Sequence, residues 1–269
     1  MSMSLALARR FANTPLALWE ARAPAMLEGL RAYEEPPAMV EGKYSDARPY
    51  DVIDGVGIVP IRGVLLHGDC YWWDTMSYDA IGRCLAQAIA DPEVRGIALH
   101  VNSPGGEVAG CFDLADKIYE MRGAKPICAI LDECAYSAAY ALACAADTIV
   151  VPRTGGTGSI GVITMHVDMT KALEQWGIKV TTIKYGALKD ASYPTTPLSD
   201  ENRDRMQVDI DMLGEMFCSM VARNRGLSVD AVREMQAGTF LGDAGVKAGL
   251  ANEVMAPADA FLKFVAQVA

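Results

Sequence analysis

The sequence predicts an α/β fold, because short β-rich runs alternate with helix-spaced runs through its middle and its last third is mostly helical. The β-rich runs are Gly57–Ile61, Gly96–Val101, Ile127–Leu131 and Thr148–Val151. The first helical run, Tyr78–Ala90, puts Ile81, Leu85, Ala88 and Ile89 on one face, and the second spans Glu107–Arg122. With 269 residues, 51% of them hydrophobic, the chain can bury one sizeable core.

The elements follow in order. Residues 4–32 carry leucines, alanines and Phe11 at roughly helical spacing, broken by Pro15 and Pro24. This predicts a short helical arm, or a disordered leader, followed by a linker around Glu34-Glu35-Pro36-Pro37 that runs to Pro49. The helix from Glu107 has Val108, Cys111, Phe112, Ala115, Ile118 and Tyr119 at helical spacing, and Gly123 and Pro126 close it. Ser137–Ala146, rich in alanine, predicts a buried helix between two strands. Ser199 caps a long helix with Asp200 and Glu201 in its first turn, where acidic side chains complement the helix dipole. Met206, Ile210, Leu213, Phe217, Met220 and Val221 form its packing stripe, and Gly226 stops it. Ser228 caps the next helix, which ends near Gly238; another starts at Asp243 and leads into a closing Leu250–Val254 strand. The expected division is an arm and linker over 1–48, one main domain over 49–256, and a C-terminal tail over 257–269.

The formal net charge is −10 and the pI about 4.8. An acidic surface argues against a nucleic-acid partner, which needs a phosphate-neutralising basic stripe. Residues 1–31 differ in character, with four arginines against two glutamates. The seven cysteines show no CxxC and no paired Cys/His spacing, so they read as reduced, buried thiols with no metal site. No secretory signal is evident, and the longest uncharged small-residue run, Cys134–Ala146, is too short to span a bilayer. The expected protein is soluble and cytoplasmic, without a membrane anchor or cofactor.

Two segments carry possible chemistry. Asn102-Ser103-Pro104-Gly105-Gly106 reads as a strand-to-helix turn whose glycines allow close backbone approach and outward N–H donors. Ser137, at the entry to the buried helix, is either an N-cap or a nucleophile with the Ala138 N–H beside it. A serine nucleophile needs a base. His67, His100 and His166 are the only histidines, and His100 precedes the glycine turn. A lysine base requires an amine held in an apolar pocket, where desolvation lowers its pKa from ~10.4 towards ~7–8. Lys184 and Lys189 are the candidates, and composition does not choose between them.

The ordered motifs resemble one family. Asn102–Gly106, then Ser137 before a small-residue helix, then Thr157-Gly158-Ser159-Ile160-Gly161-Val162, then Gly186-Ala187-Leu188-Lys189-Asp190 are similar to signal peptide peptidase A (protease IV). Ala237-Gly238-Thr239-Phe240 and Ala248-Gly249-Leu250-Ala251-Asn252 extend the likeness, which covers about Val52 to Val254. The resemblance implies a ClpP/crotonase-like fold of repeated ββα units with a helical C-terminal part. It implies a Ser/Lys dyad, with Ser137 as nucleophile and Lys189, rather than Lys184, as general base. Ser159 matches a serine that holds the lysine amine, and Gly105 or Gly106 with Ala138 would supply the oxyanion hole. It further implies a homo-oligomer acting on protein or peptide substrates, with a neighbouring subunit helping to complete each site.

Ser137-Ala138-Ala139-Tyr140 replaces the family's usual Ser-Gly-Gly-Tyr. The arginine-containing leader followed by a single catalytic domain resembles the phage branch, the protein C-like prohead proteases that process capsid or scaffold proteins. Two other readings are an inactive assembly protein that keeps the fold and a crotonase-like acyl-CoA enzyme. The latter wants a catalytic acid by the glycine turn, where Glu107 reads as a first-turn helix residue.

Overall fold

The computed structural model describes residues 14–18, 48–68 and 75–269. Most of the expected helical arm and linker, and Cys70, lie outside them. The strands are β1 (Leu16–Leu18), β2 (Asp51–Ile53), β3 (Val56–Leu66), β4 (Thr75–Ser77), β5 (Gly96–Glu107), β6 (Ile127–Tyr136), β7 (Thr148–Val151), β8 (Gly156–Gly158), β9 (Thr239–Leu241) and β10 (Glu253–Val254). The helices are α1 (Tyr78–Ala90), α2 (Cys111–Glu120), α3 (Ala138–Ala143), α4 (Thr170–Gln175), α5 (Asp200–Arg225), α6 (Val229–Glu234), α7 (Asp243–Lys247) and α8 (Pro257–Gln267).

The sheet runs β10-β7-β6-β5-β3-β2, and β3, β5, β6, β7 and β10 pair in parallel. The long strands each behave as two segments. The β3–β5 register shifts between Arg62 and Val64, and the β5–β6 register between Val101 and Ser103. β6 pairs with β7 through Cys128–Ile130, then with β8 through Cys134–Tyr136. Two β segments followed by a helix is the ββα unit, and the chain stacks these units as expected, with a helical C-terminal part.

Side-chain alternation explains why both faces are covered. Ile97, Leu99 and Val101 of β5, with Ile127, Ala129 and Leu131 of β6, face the main core. The intervening Ala98, Cys128 and Ile130 face a second cluster, closed by Ala260, Phe264 and Val268. The residues expected to form a tail are therefore mostly a helix packed on the sheet. Every residue of α3 is buried, and the Tyr140 hydroxyl donates to the Leu250 carbonyl at 2.9 Å. Arg122 donates to the Cys144, Ala145 and Ala146 carbonyls, satisfying acceptors just beyond the end of α3.

Three expectations are corrected. Leu16–Leu18 is a strand rather than a helix, paired antiparallel with Gly105–Glu107 and bridged to Ile163. Sheet edges on both sides supply backbone partners that helical spacing does not anticipate. Asn102–Gly106 is not a turn but the end of β5, because β1 and β3 pair with it. Glu107 accordingly closes a strand. The helix starts at Cys111 after Gly110, which has φ +78°.

Candidate active site

Ser137 is the single residue between β6 and α3, with φ +54° and ψ −120°. A left-handed serine costs of order 1–3 kcal/mol and persists only where its surroundings impose it. Here the Ser137 N–H donates to the Gly158 carbonyl at 2.9 Å, and its own carbonyl accepts from Ala141 N–H at 2.9 Å. The hydroxyl makes no helix cap, and donates instead to the Gly161 carbonyl at 3.4 Å. A strained strand-to-helix turn of this kind aims a nucleophile away from its own helix. The Ala138 N–H beside it belongs to the first turn of α3, whose donors have no intrahelical acceptor.

The glycine pair packs against this turn. A Cβ on Gly105 would lie 3.0 Å from Ser137 Cβ and 2.2 Å from the Ala17 carbonyl oxygen, and Gly105 has φ +103°. A Cβ on Gly106 would lie 1.9 Å from the Leu65 carbonyl oxygen. Both positions therefore need glycine. Ser103, which the motif reading did not single out, organises the bend. Its hydroxyl donates to the Gly63 carbonyl at 2.7 Å and accepts the Gly105 N–H at 3.2 Å. The Gly105 donor is thus engaged.

Ser159 is buried, also left-handed at φ +54°, and its N–H donates to the Gly238 carbonyl at 2.9 Å. It lies in the loop whose Gly158 and Gly161 carbonyls receive both Ser137 donors. Lys189 makes no hydrogen bond to this group. It is exposed in a turn where its backbone N–H donates to Gly186, and no hydrogen bond joins it to Ser137. Lys184 pairs with Asp190 and donates to the Ala187 carbonyl at 3.0 Å. The chain thus brings Ser137, Gly105, Gly106, Ala138 and the Ser159 loop together, while Lys189 is exposed and not hydrogen-bonded to them.

The histidine and cysteine routes have little support. His100 Nδ1 lies 2.8 Å from the Arg62 guanidinium and Nε2 lies 4.0 Å from Asp132. Burial and Arg62 hold its pKa below the usual histidine value. Burial pushes the Cys111 thiol up to about 12, and Cys128 and Cys144 to about 11. Such thiols stay protonated and unreactive. Glu107 is buried, and its carboxylate accepts the His67 backbone N–H at 2.7 Å. It therefore lacks the helix-dipole role expected of it. Among the described residues no group of His, Cys, Asp or Glu is arranged to hold a metal, and no helix is long and apolar enough to cross a membrane.

The model of peptidase family S49 matches residues 120–268. The chain is 42% identical over 241 residues to the head-tail preconnector protein GP5 of Enterobacteria phage P21, covering 88% of this chain and 47% of that one. It is 37% identical over 217 residues to the capsid assembly protease C of Escherichia phage lambda, covering 80% and 49%. The chain therefore spans about half the length of these curated relatives. Among solved structures, an enoyl CoA hydratase/isomerase (crotonase) from Legionella pneumophila aligns at 14% identity with a TM-score of 0.49, over 81% of this chain and 74% of that one. With the family model matching more than half of its residues, the chain belongs to peptidase family S49.

Proposed function

We propose that this chain is a serine endopeptidase with a Ser137/Lys189 dyad, acting on capsid or scaffold proteins during phage head maturation. The observation that carries the reading is Ser137 itself, a strained residue wedged against Gly105 at a strand-to-helix turn, with its hydroxyl off the helix. Family membership supports the reaction class, and the capsid assembly protease among its relatives supports the substrate class.

Neutral Lys189 takes the Ser137 proton as the oxygen attacks a peptide carbonyl. The resulting ammonium returns the proton to the leaving amine, and water then hydrolyses the acyl-enzyme. Backbone N–H groups at Gly106 and Ala138 stabilise the oxyanion, with Gly105 contributing if its bond to Ser103 opens. Ser159 positions the lysine amine. Because Lys189 sits on an exposed turn, the dyad closes only when that segment packs inward. Trp176, Ile183, Tyr185 and Leu188 around it are exposed apolar residues, which supports packing by a second copy of the chain.

The test is labelling by a serine-reactive fluorophosphonate together with hydrolysis of a denatured protein substrate. Ser137→Ala is expected to lose both, and Lys189→Ala to lower hydrolysis by about 10²–10⁴-fold. Labelling that survives Ser137→Ala overturns the nucleophile assignment. A wild-type chain that neither labels nor hydrolyses favours an assembly protein that has kept the fold.

A further inference from the structure

We propose that residues 15–18 are this enzyme's own first substrate, seated in its peptide groove so that Ser137 cuts between Ala17 and Leu18. The inference rests on the peptidase reading above and adds the bond, the direction of binding and the side-chain preference.

The segment is held as an extended peptide on both edges. On one side it runs antiparallel to β5, with Leu16 opposite Glu107, Ala17 opposite Gly106 and Leu18 opposite Gly105. The Val108 N–H donates to the Pro15 carbonyl at 3.2 Å. On the other side Leu16 exchanges both backbone hydrogen bonds with Ile163, each at 2.8 Å. Antiparallel ladders alternate bonded and non-bonded pairs, so the pair two residues beyond Pro15 and Val108 is Ala17 with Gly106. That register turns the Gly106 N–H, one of the proposed oxyanion donors, towards the Ala17 carbonyl.

The same carbonyl is the one beside the nucleophile. Its oxygen and Ser137 Cβ both lie within 3.0 Å of the point a Gly105 Cβ would occupy. Pairing through main-chain bonds on two edges is how a strand-adding peptide binds, with specificity left to the side chains. Leu16 and Ala17 have no exposed surface, and Ser137 has none either. The seated segment therefore closes the nucleophile to any other peptide. Fully buried Ala17 leaves no room beyond a methyl group at the acyl position, so the preferred substrates carry a small residue there.

The step balances without a co-reactant. Ser137 Oγ attacks the Ala17 carbonyl carbon, the bond to the Leu18 nitrogen breaks, and the serine proton passes through the lysine amine to that nitrogen. Water then splits the Ala17 ester, leaving a carboxylate on residue 17 and the free serine hydroxyl.

Intact-mass analysis and N-terminal sequencing of the purified full chain test this. The expected result is loss of residues 1–17 with a new N-terminus at Leu18, absent from Ser137→Ala. A Ser137→Ala chain incubated with active protein is expected to stay whole, because its leader is shielded in its own groove. Ala17→Phe is expected to slow the cut by about tenfold or more, while Ala17→Ser keeps it. A chain that hydrolyses a denatured protein through Ser137 yet keeps its Ala17–Leu18 bond overturns this inference alone. Cleavage of the Ser137→Ala chain by the active protein overturns the intramolecular assignment. Absence of any Ser137-dependent hydrolysis overturns the peptidase reading itself.

Discussion

At Ser137 the backbone angle and the side-chain direction are one fact: with φ at +54°, the hydroxyl leaves the helix it would otherwise cap and meets the Gly161 carbonyl. Sequence alone left capping and nucleophilic roles open, because both put a small hydroxyl at a helix start. Gly105, packed against Ser137, makes the complementary point. Its φ of +103°, and the 2.2 Å a Cβ would leave to the Ala17 oxygen, exclude any side chain. Gly105→Ala is therefore expected to destabilise the fold by about 1–3 kcal/mol and unseat β1. Thermal unfolding reads the first effect, and faster amide exchange at Leu16, followed in a Ser137→Ala background that keeps residues 1–17, reads the second. An unchanged exchange rate at Leu16 in that background would count against the close approach of Gly105 to Ala17.

Among the elements, α5 was the most legible. Ser199 accepts the Asn202 N–H at 3.2 Å, Asp200 and Glu201 occupy the first turn, and Gly226 ends the helix in the left-handed region. These signals are local, so sequence carries them in full. Ser199→Ala is expected to cost about 1 kcal/mol, seen as a fall of a few degrees in Tm with hydrolysis little changed. The end of strand β5 is hidden from the sequence for the opposite reason. Its Pro-Gly-Gly end looks like a turn by local preference, and only pairing with β1 and β3, distant in sequence, holds it extended. The three-residue β1 carries too few positions to reveal a period of two against the leucine spacing around it.

At the scale of the molecule, the exposed apolar residues cluster on the segment that carries the proposed base. Ile183 and Tyr185 are 98% and 101% exposed, a few residues from Lys189. A large apolar side chain wholly in water gains about 1.5–3 kcal/mol on burial, which a second copy of the chain would supply. Ile183→Asp combined with Tyr185→Asp is expected to reduce self-association in sedimentation velocity and to depress hydrolysis with it. Full activity from a dispersed variant would sever the proposed link between assembly and the dyad.

By itself the sequence determined the α/β class, the buried alanine helix behind Ser137, the helical C-terminal part and the family, since each rests on periodicity, end signals or ordered motifs. Tertiary structure decided what those patterns do in space. It set Ser137 in a strained turn, packed the glycine pair against it, drew Leu16–Leu18 in between two sheet edges, and left Lys189 exposed. The physical reason is pairing across long sequence separations: the segments that meet at Ser137 come from residues 16–18, 103–107, 136–138 and 158–163, and no local preference encodes their meeting.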